Sequence, residues 1–325
     1  MKIAVLANLK EDAPVSKEDP PGRWDDLDDT KTVDAILASL QELGHTAQYF
    51  PATIQSVQAL QNFAPDLCFN SAEGHFGDSR EAQMPAILDS LRIPYTCAGV
   101  LGMSLSHNKA VAKKMFRDTR IPTANFVVVR YGIEIPSHKM NFPLFVKPGV
   151  EGSSIGINDY ALVRNEEELI RQVRYVRSIT DSLILVEQYI EGREFTIGIL
   201  GDEVLPIVEI ISPTGFYSSA QKEDLNSAVR RVCPAELSAE KTTLFKSIAK
   251  RAMNALHLSD ICRMDLRMDA QGNPYVLEVN PIPLMDPDPN QASLVFAAAA
   301  AGYSYTDIVR KIIESAAQRW NLQSN

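Results

Sequence analysis

Positive charge is in short supply in this chain: 32 lysines and arginines stand against 41 aspartates and glutamates, a formal net charge of −9. A protein whose main partner is nucleic acid needs clustered Lys and Arg to neutralise phosphates, so the balance argues against that class, and any anionic ligand has to be held locally. Cysteine is scarce as well. Cys68, Cys97, Cys233 and Cys262 are scattered without a CxxC pair, which suggests neither a zinc site nor a disulfide framework and fits buried thiols in a reducing compartment. No uninterrupted apolar stretch reaches the ~18 residues of a membrane span. The N-terminus runs directly into Ile3-Ala4-Val5-Leu6-Ala7 without the basic flank of a signal peptide. The expectation is a cytoplasmic protein. Internal repeats and low-complexity tracts are missing too, as are the helix-opening Gly-Lys-Ser/Thr order of a P-loop and the G-x-G-x-x-G of a dinucleotide fold.

What is present is length and apolar content, 325 residues of which 45% are hydrophobic, enough for one large core or two to three smaller ones. The opening alternates. Lys2 to Ala7 reads as a buried strand, and Val33, Ile36, Leu37 and Leu40 then recur at helical spacing before Gly44. Ala47 to Phe50, Asp66 to Asn70 and Ile93 to Cys97 read as further strands, with a helix over Glu81 to Leu91; such alternation implies a parallel sheet. A long polar segment, Asn8 to Asp29, separates the first strand from the first helix, where open α/β sheets bind ligands. From Ser106 to about Thr119 a polar helix carries Lys109, Lys113 and Lys114. Strands follow at Asn125 to Val129, Pro143 to Lys147, Leu183 to Tyr189, Glu194 to Leu200 and Val204 to Ile211, then a helix over Ala239 to Leu256. Cys262 to Met268 and Pro274 to Val279 read as paired strands turning through Asp269 to Asn273.

Three clusters along this order carry chemistry. Alternation on the last strand pair can project Asp265, Glu278 and Asn280 toward one point, with Arg263 in reach; hard oxygen ligands of this kind suit Mg²⁺. The same strands could equally present ordinary surface acids. Lys147 ends an apolar strand, and the loop Glu151-Gly152-Ser153-Ser154-Ile155-Gly156 after it offers backbone N–H groups and hydroxyls to a phosphate, or else a simple turn. Glu187-Gln188-Tyr189-Ile190 with Glu194 downstream joins an extended backbone and apolar cover to a carboxylate, features that adenine and a ribose need.

The succession of Lys109, Lys147 with Glu151 to Gly156, Glu187 to Glu194, and Asp265, Glu278 and Asn280 resembles the ATP-grasp superfamily and, within it, the D-alanine:D-alanine ligase family. Further matches are Ile93-Pro94-Tyr95-Thr96, Cys233-Pro234-Ala235-Glu236-Leu237 and Gly302-Tyr303-Ser304-Tyr305 ahead of a helix. The resemblance implies an α/β fold in three domains: a doubly wound parallel-sheet substrate domain (1–100), an α+β lid (101–190) and an α+β catalytic domain (191–325). It implies that Lys109, Lys147, Ser153 and Ser154 hold the ATP phosphates, that Glu187, Gln188, Tyr189 and Ile190 hold adenine, and that Glu194 holds the ribose. Asp265, Glu278 and Asn280 would bind Mg²⁺ or Mn²⁺. Arg263, Lys222 from a mobile loop, and Ser153 would act in catalysis. The implied activity joins a small-molecule carboxylate to an amino-acid acceptor through an acyl phosphate, in a homodimer.

Departures from the family pattern fall in the substrate regions. The family's Ser-x-Glu opening is replaced by Trp24 to Asp29; its His-Gly-x-x-Gly-Glu-Asp-Gly becomes Glu73 to Arg80; its Pro-Gly after the metal-binding Asn becomes Pro281 to Pro287 with Leu284. Loop tyrosines become Ser219 and Glu223. The expected substrate contacts are therefore Trp24, Glu73, Arg80, Leu284 and Ser293, with Arg80 a candidate for a substrate carboxylate and Ser293 for that of an α-amino acid acceptor. Asp28 and Asp29 either meet a substrate ammonium or cap the helix near Thr30. Two other readings stay open: activation of a non-carboxylate carbonyl, and a nucleotide-binding sensor without ligation.

Overall fold

The computed structural model of the protein describes residues 1–20, 22–213, 215 and 229–322. Its N-terminal part is built on β1 (Lys2–Ala7), paired in parallel with β2 (Thr46–Pro51) on one side and β3 (Leu67–Ser71) on the other. Ile3 to Ala7 are at most 1% exposed, which is why this strand reads as a continuous apolar run: helices cover both faces of a parallel sheet. α1 (Thr30–Glu42) makes the crossover from β1 to β2 and buries Val33, Ile36 and Leu40, the stripe expected from their spacing. Asp29 starts it by accepting from the Thr32 N–H at 2.9 Å, and Gly44 ends it with a φ of 80°. α2 (Val57–Phe63) and α3 (Gln83–Leu91) complete this layer.

Two expectations fail here. Ile93 to Cys97 is not a strand; only Tyr95 bridges Cys68, because Pro94 has no N–H to donate and Cys97 sits in the left-handed region at φ 70°. The single helix expected over Ser106 to Thr119 is two, α4 (Val100–His107) and α5 (Lys109–Asp118). They break at Asn108, whose extended backbone and side-chain oxygen cap α5 at the Val111 N–H.

The central sheet is antiparallel, β4 (Phe126–Val129), β5 (Leu144–Pro148), β6 (Leu162–Val163) and β7 (Ile184–Gln188) in the order β4-β7-β5-β6. α6 (Glu166–Ile179) lays Leu169, Val173 and Val176 on it against Leu144, Val146, Ile184 and Val186. The third sheet runs β11-β10-β8-β12-β13, from β8 (Gly192–Leu200), β10 (Val208–Ile211), β11 (Arg230–Val232), β12 (Ile261–Asp269) and β13 (Pro274–Asn280), with β9 (Glu203–Val204) beside β8. The continuous strand expected over Val204 to Ile211 is thus divided, with Pro206 in the gap. Phe195, Ile197 and Ile199 of β8 and Cys262, Met264 and Leu266 of β12 point to a core shared with α7 (Ala239–Ala255), α8 (Ser293–Ala300) and α9 (Tyr305–Arg319). Alternation along a strand sends their neighbours to the opposite face.

That core also takes in Ile3 and Val5 of the N-terminal sheet and Phe116 after α5 begins, so the first and last parts of the chain pack as one body. Asp260 pins the junction: it accepts from the Cys97 N–H at 2.9 Å, Ser315 Oγ at 2.8 Å and Arg319 Nη2 at 2.7 Å, while Arg319 Nη2 also donates to the carbonyls of Tyr95 and Cys97. Cys68, Cys97 and Cys262 are buried free thiols, pushed up to about 12 chiefly by burial. Among the described residues no helix is long and apolar enough to cross a membrane. Asp260→Ala, which leaves the Cys97 N–H without its acceptor and the Arg319 guanidinium without its counter-charge, is expected to lower the unfolding free energy of the full chain by about 2–4 kcal/mol, measured by denaturant titration.

Candidate active site

One cleft of about 910 Å³ is lined from all three sheets. Its floor is the polar face of the third sheet. Pairing sets Arg263 opposite Asn280 and Asp265 opposite Glu278 on one side of β12, and Asp265 opposite Thr196 and Arg267 opposite Glu194 on the other. A bulge makes this possible. Leu266 pairs with Val276, so an unbroken register would set Asp265 opposite Leu277; with Leu277 bulged out of the ladder, its partner is Glu278 instead.

Asp265 accepts from Thr196 Oγ1 at 2.6 Å, from Arg263 Nη2 at 2.9 Å and from Asn280 Nδ2 at 3.4 Å. Glu278 lies 3.3 Å from Lys109 Nζ. Burial acts to raise the Glu278 carboxyl, but Lys109, Lys147 and Arg263 hold it down at about 2. Lys109 also donates to the Glu151 carbonyl, which ties α5 to the loop after β5.

That loop presents Gly152, Ser153 and Ser154 to the cleft. Ser153 and Ser154 have φ of 49° and 62° and Gly156 has 77°, so successive left-handed residues turn backbone N–H groups into a concave nest that favours anions. Lys147 stands beside it, 2.8 Å from Glu187 Oε1. The other oxygen of Glu187 lies 2.9 Å from Lys113 Nζ. Burial pushes the Glu187 carboxyl up and the two lysines pull it lower still, so it remains a carboxylate.

Beyond the two lysines the cleft becomes apolar. Phe145 stacks with Tyr189 at 6.3 Å and 22°, and Ile157, Ile190, Ile210 and Leu277 line the same region. Arg267 lies over the Tyr189 ring at 4.9 Å and 3.1 Å from Glu194. Burial raises Glu194 to about 7 against that guanidinium, helped by Asp265 and Glu278.

Comparison with known proteins places this arrangement in a family. The model of the D-ala D-ala ligase C-terminus matches residues 115–314. The chain belongs to the D-alanine–D-alanine ligase family. It is 35% identical over 284 residues to the D-alanine–D-alanine ligase of Pseudoalteromonas translucida, covering 86% of this chain and 89% of that protein. It is 30% identical over 345 residues to an uncharacterized protein of Sinorhizobium fredii, covering 98% of each. The crystal structure of the D-alanine–D-alanine ligase from Bacillus anthracis complexed with ATP superposes with a TM-score of 0.76 at 25% identity, covering 99% of both chains. The α/β ATP-grasp fold expected from the sequence is therefore the fold of this protein.

Against the family pattern, the structure brings Lys147, Ser153, Ser154, Glu187, Tyr189, Ile190, Glu194, Arg263, Asp265, Glu278 and Asn280 to one cleft, with Lys109 at its edge. Glu73, Leu284 and Ser293 line it as well. Others are placed differently. Arg80, expected to hold a substrate carboxylate, is 6% exposed and donates to Asp26 and to the carbonyls of Glu73 and Gly74; buried acids have claimed its charge. Trp24 packs edge-on against His75 and Phe76 and donates to Asp19, outside the lining of the cleft. The Gln188 side chain turns to the Asn141 and Pro143 carbonyls, and its backbone N–H donates to the Asn125 carbonyl. Asp29 is the helix cap, whereas Asp28 is buried against Ser71. Lys222, Ser219 and Glu223 lie outside the described residues.

Lys113, Arg267 and Phe145 were not expected to serve the site. Lys113 follows Lys109 by four, one helical turn on the same face, and Arg267 continues the alternation of Arg263 and Asp265; both signals were there. The stacking of Phe145 on Tyr189 depends on β5 lying next to β7, which spacing along the chain does not show.

Two predictions follow from these burial patterns. Glu187→Ala leaves two buried cations without a counter-charge and is expected to cost about 3–5 kcal/mol in equilibrium unfolding, with nucleotide binding weakened in parallel. Asp28 is raised by burial from its ordinary 3.8 to about 6, so its ionised form opposes folding above about pH 6 and no longer does so below about pH 4. Asp28→Asn is therefore expected to raise the melting temperature at pH 8, a gain that disappears on titration to pH 4.

Proposed function

We propose that this protein is an ATP-dependent carboxylate–amine ligase, which activates an acid as its acyl phosphate and passes the acyl group to the amine of an amino acid. The observation that carries this is the meeting, in one cleft, of Lys147, Arg263 and the Ser153–Ser154 nest with the oxygen set Asp265, Glu278 and Asn280. A nucleotide needs the first group for its phosphates and the apolar slot of Phe145, Tyr189 and Ile190 for its base, with Glu194 for the ribose.

The oxygen set fits Mg²⁺, or Mn²⁺: two carboxylates and an amide carbonyl stand at adjoining register positions, and neighbouring lysine and arginine side chains keep Glu278 ionised. Bound there, the ion supplies charge neutralisation to the phosphates. The chain's own groups supply the rest. A carboxylate approaching a γ-phosphate is an anion meeting an anion, and Arg263 and Lys147 offset that repulsion where charge accumulates. Lys109, bonded to the Glu151 carbonyl, anchors the loop over the phosphates so that water is kept from the activated acid. Ser293 opens α8 at the cleft wall, with no side chain capping the helix, and its free N–H groups suit the acceptor's carboxylate. In this reading, 1–100 bind substrate, 101–190 form the lid and 191–325 the catalytic part of a homodimer.

A sensor of nucleotide would bind ATP without consuming it. Incubation with ATP, Mg²⁺ and pooled amino acids is expected to release ADP and give a new amide mass for particular pairs only. Arg263→Ala should lower kcat by about 100-fold or more while the melting temperature stays put; undiminished turnover in that variant would refute the assignment.

A further inference from the structure

The wall that the N-terminal part contributes to the cleft carries more negative charge than the protein balances. Asp26, Asp28, Glu73 and Glu81 all stand in or against it. Arg80 serves two of them, pairing with Asp26 and lying 3.8 Å from Glu73. Glu81 faces His107 Nδ1 at 2.6 Å. Asp28, 5% exposed, has a neutral partner in the Ser71 hydroxyl, and exposed Lys10 is the weakest influence on it. One guanidinium is thus shared by two carboxylates, and a third has none.

The unfilled bonds point the same way. The Asp26 side chain is 5% exposed, yet its Oδ1 has no hydrogen-bond partner, nor has Oε2 of Glu81. Burying a carboxylate oxygen without a partner is costly, and proteins keep such a group where a ligand completes it. Asp26 also lies against the phosphate nest, where a Cβ on Gly152 would be 3.4 Å from its Oδ2. A carboxylate so close to a bound triphosphate repels it unless a cation comes between. Burial first, then Glu81 and Asp26, pushes Glu73 well above the usual carboxylate range in spite of Arg80, so this carboxyl holds its proton until a cation is brought beside it.

We propose that this wall selects the donor acid by two positive charges: the donor is a basic amino acid, its α-ammonium beside Asp26 and its side-chain cation against Asp28 and Glu73. The inference rests on the ligase reading for the word donor, but not for the binding itself.

Calorimetry on the full chain with AMPPNP and Mg²⁺ tests it, titrating lysine, ornithine and arginine against norleucine and Nε-acetyllysine in both enantiomers. At least one basic amino acid is expected to bind about tenfold or more tightly than its neutral counterpart. Glu73→Gln and Asp28→Asn should bring that ratio down toward unity, with AMPPNP binding showing that the variants are folded. Equal affinity for charged and neutral compounds, binding of neither, or a preference that survives both substitutions overturns the proposal. ADP release separates the two readings. If a basic amino acid binds with preference and no acceptor yields ADP, recognition stands and ligation falls; if neutral amino acids drive ADP release as well as basic ones, ligation stands and this proposal falls.

Discussion

A carboxylate held between two lysines inside the protein is the interaction on which the rest of the cleft depends. Glu187 is 3% exposed and lies within 2.9 Å of both Lys113 and Lys147. Three charges removed from water are tolerable only because each has its opposite at contact distance. The cluster joins α5 to two strands of the central sheet, and it leaves one positive charge over, on the Lys147 side that lines the cleft with Ser153 and Ser154. The cation that an anionic ligand needs is thus fixed by a bond the protein makes to itself.

The same economy runs through the floor. Asp265 with Arg263 and Glu194 with Arg267 are pairs made along or across β12, and Glu278 pairs with Lys109 of α5, so the polar face of the third sheet is preorganised and nearly neutral. The wall above it is not. There the acids outnumber their partners, and the imbalance falls in the part of the chain where it departs from the family pattern. The groups of the floor are held in place by mutual pairing, while the acids of the wall share too few cationic partners.

Much of the cleft floor was legible beforehand because it lies on strands. A period of two carries Arg263, Asp265, Glu278 and Asn280 to one side once the two strands are recognised as partners. Helix spacing likewise gave α1 with its buried Val33, Ile36 and Leu40. Legibility ended where side chains choose among several partners. Arg80 looked free for a substrate carboxylate, yet three acids of the same wall surround it. Trp24 looked like a pocket residue and instead closes on His75 and Phe76.

Sequence by itself determined the family, the order of its ligand-bearing segments and the face of each strand that meets the cleft, because these rest on residue type and on the short-range periods of backbone geometry. Only the tertiary structure decided which charges are satisfied. Whether Asp28 caps a helix or is buried, whether Lys113 faces solvent or a carboxylate, and whether Leu277 or Glu278 faces Asp265 depend on segments far apart in the chain. Electrostatic energy in a low-dielectric interior varies with distances of a few ångströms and with burial, and neither is written in the order of residues.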